Sequence, residues 1–128
     1  MAMSHQESIQ ELAHQFGPVL DNSPDGVYIW LDDDNKICNP RLASMFGYTV
    51  SEWCAAGSFL DSFVDEDDQH IYASNYQSCI APLAFPATFR FRGRRKDGST
   101  FSAETDMIPI SWNGHAVAYH FVRELSEQ

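Results

Sequence analysis

Long apolar runs are missing from this chain. Nothing in it approaches the roughly 18 uninterrupted apolar residues of a membrane-spanning helix, and no cationic-then-apolar leader opens it. Membrane insertion and secretion of the segment itself are therefore not expected. Basic residues are scarce too, eight against 18 acidic ones for a formal charge of -10. So acidic a surface repels a phosphate backbone, which argues against a nucleic-acid binder. Cysteine is confined to Cys38, Cys54 and Cys79, without CxxC spacing, so neither a disulfide framework nor a zinc knuckle is expected. Reduced thiols in a cytoplasmic setting are expected instead. His5, His14, His115 and His120 share no short metal-ligand spacing, and the Asp32-Asp33-Asp34 run lacks the glycine and distal glutamate of an EF-hand loop. A Ser/His/Asp series, a phosphate loop and a converging carboxylate pair are likewise missing.

What is present is a strong strand signal between residues 85 and 122. Phe89 and Phe91 fall on one parity and Arg90, Arg92 and Arg94 on the other, which sends rings and guanidinium groups to opposite sheet faces. Asp97-Gly98 predicts a hairpin with a type I′ turn. The return strand alternates Phe101, Ala103, Thr105 and Met107 with Ser102, Glu104 and Asp106, which places carboxylates opposite the arginines on a solvated face. Asn113-Gly114 marks a second turn, and AVAYHFV a third strand.

Upstream, residues 4–16 predict an amphipathic helix: Ser4 and Glu7 fit a capping box, Ile9, Leu12, Ala13 and Phe16 form a stripe, and Gly17-Pro18 stops it. That stripe either completes the core of its own sheet or forms a dimer cap. GVYIWLDDDNKIC reads as a hairpin, with Val27, Ile29 and Leu31 on one face and Tyr28 and Trp30 on the other. Asn39-Pro40 opens a small helix that Gly47 ends, and residues 51–54 suggest another helical turn. A longer helix is expected from an Asp65 cap to Pro82, carrying Ile71, Tyr72, Asn75, Tyr76 and Cys79 on one broad side. The fold class is therefore α+β: a five-stranded antiparallel sheet covered on one face by short helices, with an N-terminal cap helix. Residues 1–18 form the cap and residues 19–126 the main domain.

The stretches SPDGVYIWLDDDNKICNPRLASMFGYTVSEW, FVDEDD, FRFRGRRKDGSTFSAE and VRELSE, in this order, resemble a PAS domain, a small sensory module of bacterial and archaeal signalling proteins. The resemblance covers about residues 20–127. It implies that Asn39 and Pro40 fix a strand-to-helix junction, that Gly47-Tyr48 closes the small helix and that KDGS is the recurrent hairpin. The closing Arg-Asp-Ile-Thr of many members is matched by Arg123-Glu124-Leu125-Ser126, which keeps a carboxylate and a hydroxyl. Only Glu127 and Gln128 follow, so a signalling effector is expected on a partner or in a longer protein.

The resemblance also implies a cavity between sheet and helices, where members hold flavin, haem, small metabolites or nothing. The wall expected here is Ile29, Met45, Phe46, Tyr72, Asn75, Tyr76, Phe89, Phe91, Phe101, Ala103 and Tyr119, residues that a filled core would equally use. A small organic ligand is the expected occupant. Covalent flavin chemistry is disfavoured because Trp53-Cys54-Ala55-Ala56 lacks the arginine and glutamine around the reactive cysteine. Haem is disfavoured because the sequence after His70 departs from the haem-binding pattern, and His120 faces either the pocket or the outer surface.

Two rivals remain open. An interaction module with a filled core would dimerise through the leading helix and the outer sheet face, expected to carry Tyr28, Trp30 and Val122. A cone-shaped α+β enzyme would need His70 with Asp67 or Asp68 turned inward.

Overall fold

The computed structural model describes residues 4–125; Met1 to Met3 of the cap segment and Ser126, Glu127 and Gln128 of the closing motif lie outside the described residues. Helix α1 (His5–Gln15) starts at Ser4, whose hydroxyl accepts from the Glu7 amide while the Glu7 carboxylate accepts from the Ser4 amide, the capping box expected from the sequence. Helix α1 ends at its C-cap Phe16, just before Gly17-Pro18 as expected, but that pair does more than stop it. It opens a second helix, α2 (Gly17–Asn22), because a proline in a first turn gives up an amide that has no partner there.

Strands β1 (Gly26–Asp32) and β2 (Asn35–Cys38) form the first hairpin. Asn39 then ties strand to helix. Its side-chain oxygen accepts from the amides of Val27 at 3.0 Å and Leu42 at 2.9 Å, and its amide nitrogen donates to the Asp25 carbonyl at 3.1 Å. This buried side chain caps α3 (Pro40–Met45) and holds the start of β1. Helix α4 (Val50–Ala55) is capped by Thr49 with Glu52, and α5 (Phe59–Phe63) by Ser58.

The single long helix expected to follow is broken into a 3-10 turn (Glu66–Asp68), α6 (Gln69–Asn75) and a π-helical turn (Tyr76–Ile80). The acidic run serves the sheet as well as the helix start. The Arg92 amide donates to the Asp68 carboxylate at 2.6 Å and the Asp65 backbone amide to the Arg92 carbonyl at 2.8 Å, so these two residues dock on the edge of β3 (Ala87–Arg94).

Strands β4 (Thr100–Trp112) and β5 (His115–Glu124) complete an antiparallel sheet of five strands in the order β2-β1-β5-β4-β3. The two turns differ from expectation in an instructive way. Of Asp97-Gly98, only Gly98 has positive φ, and the loop closes by Arg95 N–H to Ser99 O at 2.8 Å. Asn113-Gly114 has positive φ at both residues, 50° and 82°, as a type I′ turn requires. Gly93 leaves room for a neighbour, since a Cβ there would lie 2.6 Å from Cζ of Phe101.

Both sheet faces are covered. On one side Leu42, Phe46, Trp53, Phe63 and Ile80 from the helices pack on Phe91, Phe101, Met107 and Val122. On the other, Ile9 and Leu12 of α1 pack on Val27, Ile29, Leu31, Val117 and Tyr119. This dual burial explains why β1 and β5 read as nearly unbroken apolar runs. It also reverses an expectation: Tyr28 and Val122 are buried among the helices and Trp30 packs beside them, so none of the three lies on the outer face. Period-two alternation separates the two faces without saying which one turns toward the helices.

The arginines of β3 are paired more widely than the cross-strand pattern implied. Arg90 meets Glu104 at 3.5 Å, Arg92 meets Asp65 at 3.5 Å, and Arg94 donates to the Asp61 carbonyl at 3.0 Å. The main cation against Glu104 and Asp106 is Arg123 of β5, at 2.9 and 3.0 Å.

Candidate functional site

A cavity of about 240 Å³ lies between the sheet and α5–α6. Its floor is built by alternation: Tyr28 and Trp30 of β1 point toward the helices, and register sets His120 and Ala118 of β5 directly beside them. Ala118 is small enough to leave space next to Trp30. Met107 of β4 is paired with His120 and extends the floor. The opposite wall comes from Phe59 and Leu60 of α5, Tyr72 and Ala73 of α6, and Tyr76 and Gln77 of the π-helical turn.

The rings hold one another in fixed orientations. Tyr28 stacks on His120 with ring centroids 3.9 Å apart and planes 8° from parallel, and on Phe59 at 5.2 Å. Trp30 meets Tyr76 edge to face at 5.3 Å. Tyr72 is set by Phe89 and Phe91, at 5.1 and 5.0 Å. Such aromatic contacts each contribute on the order of 1 kcal/mol beyond area burial.

Three polar features enter this apolar space. The Tyr28 and Tyr72 hydroxyls are hydrogen-bonded to each other, and burial raises both phenol pKa values, so both remain neutral. His120 is 1 % exposed, and among the described residues neither ring nitrogen makes a well-aligned hydrogen bond. Burial lowers its pKa to about 3, opposed more weakly by loose hydrogen bonding to the Tyr28 and Ala118 backbone, so the ring is neutral. At the third position Asp33 accepts, through one carboxylate oxygen, from Trp30 Nε1 at 3.2 Å and from the Phe59 amide at 3.1 Å, tying the β1–β2 loop to α5.

Beside this wall the buried Lys36 donates to the carbonyls of Asp33 and Ala56, and burial lowers its pKa. Cys38 and Cys54 are neighbours nearby. Hydrogen bonding from the Cys38 thiol, opposed by burial, is the main influence that lowers the Cys54 pKa, with a smaller contribution from Lys36.

Of the wall expected from sequence, Tyr72 and Tyr76 line the cavity. Phe89 supports Tyr72 from behind, and Asn75 turns back to donate to the Ile71 carbonyl at 2.8 Å. Phe46, Phe91, Phe101 and Ala103 are in the solid core, with Met45 packed against it. Ile29 and Tyr119 lie on the other side of the sheet, under α1, because their parity is opposite to that of Tyr28 and His120.

Sequence reasoning omitted Tyr28, Trp30, Phe59, Met107 and Ala118. The alternation that pairs Tyr28 with Trp30 was visible, but the side they face was not. His70 is exposed on α6 and does not line the cavity, and Cys54 is also outside the lining. A haem ligated by His70 or a flavin reacting with Cys54 therefore does not fit this arrangement. The acid-base pairing that an enzyme reading required is not assembled either, since His70 and Asp67 are exposed and Asp68 is bound to the Arg92 amide. Among the described residues, no group of three or more His, Cys, Asp or Glu is placed to hold a metal ion.

No curated protein matches the chain significantly. Solved structures share its fold at low identity. A PAS domain from a two-component sensor histidine kinase is 19% identical with a TM-score of 0.68, over 91% of this chain and 99% of that one. The PAS domain of an HTR-like protein from Haloarcula marismortui is 21% identical with a TM-score of 0.64, over 93% and 96% of the two chains. The PAS domain of a Colwellia psychrerythraea protein is 18% identical with a TM-score of 0.72, over 91% and 99%. The family model described as the PAS fold matches residues 35–123, well over half of the sequence. With the strand order, the Asn39 junction and the helix-covered cavity already described, this match establishes that the chain belongs to the PAS fold family.

Proposed function

We propose that the protein is a non-catalytic sensory module that takes a small molecule into the aromatic cavity and passes its occupancy to a partner. The observation that carries this reading is His120, a buried imidazole whose nitrogens make no well-aligned hydrogen bond, at the wall of a mainly aromatic space that Asp33, Ser58 and Gln77 also line. A buried polar group left unsatisfied costs about 1–3 kcal/mol, and a filled apolar core would have favoured an aliphatic residue there. Native mass spectrometry and an absorption scan of the purified protein test the reading. Retention of a small molecule, or saturable uptake of one, is expected; a dry, filled interior would overturn it.

A second reading concerns partner contact. Residues 1–18 act as a cap on a sensory body of residues 19–126, and a second copy packs beside α1 on the outer sheet face. Ile108, Ile110, Trp112 and Phe121 support this, because α1 leaves them only partly buried. A signalling effector, in the same protein or a partner, would read the change. Three free thiols accord with a cytoplasmic location, and among the described residues no helix is long and apolar enough to cross a membrane. Light scattering at micromolar concentration should give a dimer that Ile110→Glu converts to monomer; a monomeric wild type would refute the dimer.

A further inference from the structure

The chemistry of the cavity restricts what can occupy it, provided that the small-molecule reading above holds. The neutral imidazole of His120 offers one N–H donor and one nitrogen acceptor. Tyr28 covers one face of that ring, and its buried edge holds the two nitrogens that a guest would have to reach. The Tyr28–Tyr72 hydroxyl pair uses one hydrogen between its two oxygens and has a second to donate.

Charge argues against an ionised guest. No lysine or arginine lines the cavity, and the Lys36 ammonium is already committed to backbone carbonyls. A carboxylate would be buried without a counter-charge and beside Asp33. One oxygen of the Asp33 carboxylate is occupied by Trp30 and the Phe59 amide, which leaves only the other to meet an ammonium group.

Size and lining complete the argument. A space of 240 Å³ filled to interior density holds roughly ten non-hydrogen atoms. Trp30, Phe59, Tyr72 and Tyr76 present ring edges and faces, which favour a flat guest.

We propose that the ligand is an uncharged aromatic compound of one ring or two fused rings carrying a single hydroxyl or N–H group, which bonds to the edge of His120. Its ring would pack among Trp30, Phe59 and Tyr76.

The test is calorimetry of the full chain, freed of any retained molecule, with phenol, toluene, benzoate and benzylammonium as probes. Phenol should bind about tenfold more tightly than toluene, the value of one buried hydrogen bond, and more tightly than either charged probe. In His120→Phe, which keeps a ring on Tyr28, the preference for phenol over toluene should fall to about one. Should that variant not fold, the ring-nitrogen NMR shifts of His120 in the wild type must respond to phenol and stay unmoved by toluene. Equal binding of phenol and toluene, or best binding of a charged probe, would overturn the ligand class and leave small-molecule sensing standing. If all four probes fail the class falls too. A molecule retained on native mass spectrometry would then still support sensing, whereas a dry interior would remove both.

Discussion

Lowering the pH from 7 to 5 should destabilise this protein through one residue. In the native state burial keeps His120 neutral down to about pH 3. In the unfolded chain a histidine takes its proton near pH 6.5. The unfolded state therefore binds the proton that the native state refuses. The stability contributed by a neutral His120 is complete above pH 6.5 and is lost progressively as pH falls toward 3, at about 1.4 kcal/mol per unit. Between pH 7 and pH 5 this amounts to a loss of about 2 kcal/mol, a large part of the margin of a domain this size. The carboxylates do not blur the window. Hydrogen bonding to Arg123 lowers the pKa values of Glu104 and Asp106, so their contribution is lost only as pH falls through and below the ordinary carboxylate range near 4. Urea unfolding of wild type and His120→Phe at pH 7, 6 and 5 measures the effect, with the remaining histidines common to both proteins. The wild type should lose about 2 kcal/mol more than the variant over this range. Parallel pH profiles, or a native-state His120 titration near pH 6.5 by NMR, would refute the reasoning.

Two further outcomes follow from the packing around the site. Asn39→Ala removes the acceptor for two amides and the donor to Asp25, and should cost about 2–3 kcal/mol in urea unfolding with the fold retained. A cost below 0.5 kcal/mol would show that the junction is held elsewhere. Cys54, partly exposed beside Cys38 and Lys36, should react with iodoacetamide several times faster than the buried Cys38 and Cys79. Peptide mass mapping after brief labelling reads this directly, and equal labelling of the three would contradict it.

Much of the fold was legible because its signals are local. A capping box at Ser4, an Asn-Pro junction at positions 39 and 40, and alternation along β3 and β4 each act over a few residues, and the structure contains all of them. Where two local rules competed, the outcome was less certain from sequence. Gly17-Pro18 opens a helix as readily as it ends one, and the type I′ conformation belongs to Asn113-Gly114 rather than to Asp97-Gly98. The candidate site was much less legible. His120 was identified as facing one side or the other, and the choice between sides depends on which parity of β1 and β5 meets the helices.

The sequence by itself determined the five strands, the leading helix and the capped helix after Asn39, and their order, but not α2, α5 or the breaks in the helix after Asp65. Those features arise from backbone propensities and spacings of two to four residues. Only the tertiary structure decided which face of the sheet each residue serves, because apolar side chains occupy both parities and α1 covers the face that the other helices do not. By setting Tyr28 beside His120 and Trp30 beside Ala118, strand register brought residues 92 and 88 positions apart to one wall, and α5 and α6 closed the space over them. The same register carried Ile29 and Tyr119 to the opposite side, under Ile9 and Leu12.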